Sequence, residues 1–334
     1  MSQFNGDTAP RDHTTDLPPV EPPTAGFIIQ LFVIPALVVA VVVVVWLLFG
    51  RLAGGERDAM DYVKLIRSEN PNRRWRAAYE LASLIQNEPK LASDSALLGE
   101  LTALLDTELA RPKPDPDDET TRYLTYCLGA FKSLNARTAS GQQVDPLATL
   151  ALALEPKQPM TVRTAAAQSL GRLGAALPGG LTDETAVSAL IRASTDPDPT
   201  LRQRACYTLG YCHEETVVEA LRDRIRQDED RITRYNAAAA LARRDDPNAL
   251  DTLREMLSPA DLTEIVQGDS PSEASRRTEG IMLEAIWSLR DAVKAKHTEL
   301  ARALRPSLTA LSQSKSPGVR LEAENLLKAT PTAP

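Results

Sequence analysis

The chain has 334 residues, long for one globular core but natural for stacked units that each touch only their neighbours. Aromatic residues make up only 4%, which disfavours a β-sandwich and suits helices packed through small side chains. The formal net charge of −7 argues against general affinity for nucleic acid, and three cysteines without paired spacing do not describe a disulfide framework.

Residues 1–26 set one arginine, Arg11, against Asp7, Asp12, Asp16 and Glu21, among Pro18, Pro19, Pro22 and Pro23. Such a segment is predicted to be disordered. Phe27–Phe49 then carries no charge over 23 residues. As a helix it would span roughly 34 Å, enough for a bilayer core of about 30 Å. Gln30 and Pro35 are its irregularities, and Trp46 near its end suits an interface. A cleaved signal peptide would need a basic start and a shorter apolar run, so a single-pass membrane anchor is expected. Arg51, Arg57, Lys64 and Arg67 follow the span, although Glu56, Asp58 and Asp61 share that flank. The excess of cations over Arg11 predicts a cytoplasmic location for the remainder, with the N-terminus outside. Residues 50–69 are read as a hinge, Arg51–Gly55, and a capping helix, Glu56–Arg67.

From residue 70 to 329 one pattern recurs: Arg74–Ala77–Leu81, Thr121–Leu124–Leu128, Arg163–Ala166–Leu170, Arg202–Ala205–Leu209, Arg234–Ala237–Leu241, Met282–Ala285–Leu289 and Arg320–Ala323–Leu327. Offsets of three and seven share one helical face, so each run predicts the buried stripe of a signature helix. The starts lie 32 to 48 residues apart, which means stacked units and not a coiled coil. A second helix is expected after most of them: Ser95–Leu109, Asp183–Ser194, Glu214–Gln227, Asn248–Leu257 and Thr298–Leu311. Turns such as Asp196-Pro197-Asp198-Pro199 stop one helix and cap the next. Arg111–Glu119 and Ser258–Arg277 are read as inserted loops, and residues 330–334 as a disordered tail. The fold class expected is all-α: an α-solenoid of about seven helix pairs after one transmembrane helix.

Stretches such as TVRTAAAQSLGRLG (Thr161–Gly174) and TLRQRACYTLGYC (Thr200–Cys212) resemble bacterial HEAT repeats, in a short form similar to phycobilin-lyase-like proteins. The resemblance covers roughly residues 70 to 329. It implies a right-handed solenoid that binds other proteins, and an Asp–Arg ladder mapped onto Asp196 with Arg202 and Asp228 with Arg234.

Catalytic signals are weak. His213-Glu214 resembles one dyad of HEAT-like di-iron enzymes, but the other histidines, His13 and His297, precede no glutamate. One His and one Glu cannot close a transition-metal site. Cys127, Cys206 and Cys212 read as buried thiols. Gly129, Gly171, Gly174 and Gly210 read as helix C-caps. Tyr207, Tyr211, Tyr235, Trp75 and Trp287 read as packing residues.

Aligned on their central leucines, the second helices place Arg222, Arg254 and Arg305 in one register, with Arg226 a turn beyond Arg222. These four are the candidate partner-binding residues, a basic column for an acidic segment. Glu219, Asp223, Asp251 and Glu255 lie near enough to neutralise it. The function expected is a membrane-anchored, non-catalytic scaffold or adaptor for a protein partner. No cofactor, metal, small-molecule substrate or nucleic acid is implied. The alternatives are an accessory subunit or enzyme of the HEAT-like lyase class, and an envelope-facing binding protein if the topology is reversed.

Overall fold

The computed structural model describes residues 25–53, 58–112 and 119–330. The expectations for the two tails, for residues 54–57 and for most of the 111–119 loop lie outside the described residues. The chain divides into two units, Met1–Arg57 and Asp58–Pro334.

The first unit contains α1 (Ala25–Ala53), with Pro35 inside it. Within α1, Ile29–Leu47 is long and apolar enough to cross a membrane, and no protein covers it. At about 1.5 Å per residue that stretch is roughly 28 Å long. The helix runs through the hinge expected at residue 51, because nothing between Phe49 and Ala53 interrupts its backbone bonding.

In the second unit, every helix assigned among the described residues belongs to a two-layer stack. The helices are α2 (Ala59–Ile66), α3 (Pro71–Asn87), α4 (Ser95–Leu109), α5 (Glu119–Leu128), α6 (Pro146–Ala153), α7 (Met160–Ala176), α8 (Glu184–Ala193) and α9 (Pro199–Leu209). They continue with α10 (Glu215–Gln227), α11 (Arg231–Ala242), α12 (Leu250–Met256), α13 (Pro271–Lys294), α14 (Glu299–Ala303), α15 (Arg305–Leu311) and α16 (Pro317–Ala329). Their starts are written locally. Asn70-Pro71, Asp145-Pro146, Asp198-Pro199 and Ser316-Pro317 each place a side-chain acceptor at the N-cap and a proline in the first turn. Such a cap is worth about 1 kcal/mol.

One layer is the row of signature helices α3, α5, α7, α9, α11, α13 and α16, each packed on the next. The other begins with α2, α4, α6, α8, α10 and α12, and α14 and α15 complete it against α13 and α16. A single continuous apolar core lies between the layers. The predicted stripes are its centre, from Ala77 and Leu81 to Ala323. Leu327, on α16, is only partly buried.

The pairing differs from the sequence reading. Of the two second-layer helices that flank it in the chain, a signature helix packs mainly on the one before it, as α11 does on α10 and α9 on α8. The helix pairs therefore begin at α2 instead of α3. The signature arginine supplies the physical reason. Arg74 donates to the Ile66 carbonyl, Arg163 to Leu154, Arg202 to Asp196 and Pro197, Arg234 to Asp228 and Glu229, and Arg320 to Ser314. Each thus satisfies carbonyls at the end of the preceding helix or in the turn after it, which have no intrahelical partner. α12 is the exception, packing mainly on α11, and the signature run that follows it starts with Met282 instead of an arginine.

The family ladder is also shifted by one repeat. The Asp196 carboxylate pairs with Arg163, and Asp228 holds Arg202 through two hydrogen bonds of 2.9 Å. Arg202 and Arg234 take only backbone carbonyls from their own turns. The ladder therefore runs between repeats, with Glu108 serving Arg74 at 2.5 Å in the first step.

Two further expectations change. Gly210 is the C-cap of α9 as expected, with a right-handed backbone, but Gly171 and Gly174 lie inside α7 and mark close approaches between helices. A Cβ on Gly129 would sit 2.6 Å from the Ser169 Cα, and one on Gly171 would sit 2.7 Å from Thr208 Oγ1. Residues Pro271–Arg277 are helix, not loop, because Ser270 and Glu273 form a capping box ahead of Pro271.

A candidate protein-binding groove on the signature helices

With the positions at offsets zero, three and seven turned into the core, offset five from the signature arginine stays at the surface of the row. It is occupied by Tyr79 on α3, Tyr126 on α5, Gln168 on α7 and Tyr207 on α9. Tyr79 is 53% exposed and Tyr207 38%, so these rings are not core. Two adjoining grooves lie across this row. One, of about 290 Å³, is lined by Tyr79, Ser83, Gln86, Tyr123, Tyr126, Gln168 and Arg172 among others. The other, of about 500 Å³, adds Gln203, Arg204, Tyr207 and Asn236 and shares Gln168 and Arg172.

Ring contacts hold the first groove in shape. Tyr123 meets Tyr79 edge-on at 5.2 Å, Tyr126 at 6.2 Å and Trp75 at 6.4 Å. Arg122 lies over the Tyr123 ring at 4.8 Å. Beyond the second groove, the Tyr207 and Tyr211 hydroxyls meet at 2.9 Å, with Arg243 5.4 Å from the Tyr211 ring. Burial and the Tyr207 hydrogen bond push the Tyr211 phenol well above its ordinary range, so it stays neutral. Side-chain amides complete the lining. Gln203 donates to Asp230 at 2.9 Å, and Asn236 donates to the Gln203 carbonyl at 3.0 Å, which leaves its own carbonyl oxygen outside that bond.

The charge of these grooves is one-sided. Arg172 and Arg204 line them, and no carboxylate does. Both guanidinium groups are exposed, and neither forms an ion pair among the described residues. Farther along the same row charges of both signs are present and paired. Glu284 and Glu322 stand on α13 and α16, paired with Arg243 at 2.8 Å and Arg290 at 3.1 Å.

The four arginines singled out from the sequence sit differently. Arg222 binds Asp246 at 2.6 Å and Glu219 at 2.5 Å; Arg226 binds Asp223 at 2.6 Å; Arg254 binds Asp251 at 2.5 Å. Arg305 starts α15 and donates to the Thr330 carbonyl at 3.3 Å. No hydrogen bond or ion pair joins any two of them. Burial pushes the Asp246 carboxyl up, but hydrogen bonds from Arg222 and Asn248 outweigh it and hold it below its ordinary range. Arg172 and Arg204 escaped the sequence reading, although a signal existed. Neither has an acidic residue three or four positions away on its helix, whereas Arg222, Arg226 and Arg254 each follow one by three.

The cysteines are buried, and burial pushes the Cys206 and Cys212 thiols up to about 12. Their protonated thiols are poor nucleophiles. His213 is exposed, and its backbone N–H donates to the Glu214 carboxylate at 3.0 Å. Among the described residues no three His, Cys, Asp or Glu side chains are placed to hold a metal ion.

The family model of HEAT repeats matches residues 184–268, starting at the first residue of α8. No curated protein is significantly similar to the chain. Among solved structures, the complex of CpcE and CpcF of phycocyanin lyase from Nostoc is 18% identical. That match covers 83% of this chain and 96% of the other, with a TM-score of 0.49. A designed armadillo repeat protein in complex with the peptide (KR)4 is 14% identical over 82% of this chain and 99% of the other, with a TM-score of 0.41. An engineered protein is 17% identical over 82% and 98%, also with a TM-score of 0.41. The chain is an all-α, two-layer stack of repeated helices with an apolar N-terminal helix, and its residues 184–268 match HEAT repeats.

Proposed function

We propose that this protein is a membrane-tethered, non-catalytic scaffold that binds a partner protein in the signature-helix groove. The observation that carries the reading is the row of exposed Tyr79, half-buried Tyr126 and exposed Tyr207 beside Arg172 and Arg204. Tyrosine and arginine are the side chains most often found as anchors of protein interfaces, and an exposed cluster of them on a stable helical face is a binding surface. The tether is α1, whose stretch Ile29–Leu47 is long and apolar enough to cross a membrane. The cations after it, Arg51, Arg57, Lys64 and Arg67, favour a cytoplasmic solenoid.

Replacing Tyr207 with a photo-crosslinking phenylalanine analogue in native membranes tests the groove. A discrete protein adduct is expected there, and none from the same probe in place of Arg226 on the other layer. Equal adducts from both positions, or none from either, would remove the groove from the function. A C-terminal reporter that works only in the cytoplasm tests the topology; an expressed but inactive fusion would place the solenoid on the other side.

A further inference from the structure

We infer that the partner presents an extended acidic segment, which lies across the signature helices from α3 to α11 with its carboxylates on Arg172 and Arg204. The inference rests on the groove being the binding surface.

Charge complementarity selects the occupant. This chain has 45 acidic residues against 38 Lys and Arg, yet none of the acids lines either groove. Arg172 and Arg204 are exposed, so a partner carboxylate could approach the planar guanidinium in the two-pronged geometry it favours. A basic segment would find no acceptor charge there. It would find Glu284 and Asp291 only farther along, where Arg243 already engages them.

An extended backbone matches the spacing. Neighbouring helix axes lie about 9 Å apart, close to three residues of an extended chain at roughly 3.3 Å each. Crossing from α3 to α11 is four such steps, about 11 residues by the same spacings. The side-chain amides of Gln168, Gln203 and Asn236 on α7, α9 and α11 suit the amides of such a backbone. The rings of Tyr126 and Tyr207 offer apolar faces and hydroxyls to its side chains.

A single-stranded nucleic acid also combines negative charge with stacking bases. It is disfavoured because the groove supplies only two unpaired cations, too few to track a phosphate backbone.

The test uses the full chain in detergent with a fluorescent twelve-residue peptide of alternating Glu and Leu. Its controls are the same peptide with Lys for Glu, a twelve-nucleotide oligo-dT, and vesicles of anionic phospholipid. Saturable binding of the Glu peptide is expected, weakened about tenfold in R172E/R204E and about threefold in R172Q/R204Q. Unchanged thermal unfolding of both variants would show that the loss is not misfolding. The inference is overturned if the Glu peptide does not bind. It is equally overturned if Lys peptide, oligo-dT or vesicles bind as tightly, or if R172E/R204E binds the Glu peptide normally. A Tyr207 crosslink to a protein without an acidic segment would overturn it while leaving the scaffold reading in place.

Discussion

The two helical layers carry similar residues and present different surfaces. On the layer of α10 and α12, Arg222, Arg226 and Arg254 each hold a carboxylate from their own helix, and Arg222 also holds Asp246. On the signature layer, the arginines divide sharply. Those at the head of each pattern, such as Arg163 and Arg202, are buried clamps between repeats. Off the pattern, Arg172 and Arg204 are exposed without an ion pair among the described residues, whereas Arg231, Arg243 and Arg290 hold Glu255, Glu284 and Glu322. Counting arginines therefore says little about a binding surface; what matters is whether a carboxylate reaches each one first.

The buried clamps give the largest expected effect. Arg202→Ala leaves the Asp228 carboxylate, whose side chain is 2% exposed, with only Arg224 at 3.5 Å and the Asp230 N–H at 3.0 Å, and should cost about 3 kcal/mol, the low end for a broken buried pair. Urea denaturation would read it, and a loss below 1 kcal/mol would mean that the ladder is not structural. Next is the close approach within the signature layer. Gly129→Ala places a methyl group against the Ser169 backbone and should destabilise by about 1–3 kcal/mol, whereas a neutral result would show that the helices can separate without penalty.

A smaller effect is pH-dependent and separates the layers. Asp246, which holds Arg222, and Asp230, which takes Gln203 and Thr233, have carboxyl pKa values below their ordinary range. Groups lowered in this way stabilise the fold fully above the unfolded pKa near 4, and that contribution disappears as pH falls through the folded value. The urea midpoint should therefore drop below about pH 4, and Asp246→Asn should flatten that drop. A midpoint as high at pH 3 as at pH 7 would contradict the Arg222 and Gln203 contacts.

The smallest effect concerns the exposed pairs. R226E/R254E should change stability by less than about 1 kcal/mol, the range of surface ion pairs. It should also leave binding of the Glu peptide within twofold. A loss as large as that of R172E/R204E would return the binding surface to the second-helix column.

Several features were legible at the level of residues. The Arg–Ala–Leu offsets identified seven buried stripes, and the Asp-Pro and Asn-Pro pairs located helix starts, because stripes and caps are set within a few residues of chain. The partnership of helices was not legible. Both neighbours of a signature helix are amphipathic, and only the guanidinium's reach to the preceding carbonyls distinguishes them. Gly171 and Gly174 misled for a related reason: an approach point and a C-cap both need a missing Cβ, whereas Gly210 is the C-cap expected. At Tyr207 and Trp287 the helical position was right but the side facing solvent was not, whereas Tyr235 is buried as expected.

The sequence by itself thus determined an all-α repeat architecture and an apolar N-terminal helix, since helical periodicity, capping and an uncharged run are local properties. Only the tertiary structure decided which arginines are clamps, which are neutralised and which remain open. A side chain's available charge depends on groups 24 to 34 positions away, as for Arg222 with Asp246 and Arg74 with Glu108, brought within reach by stacking.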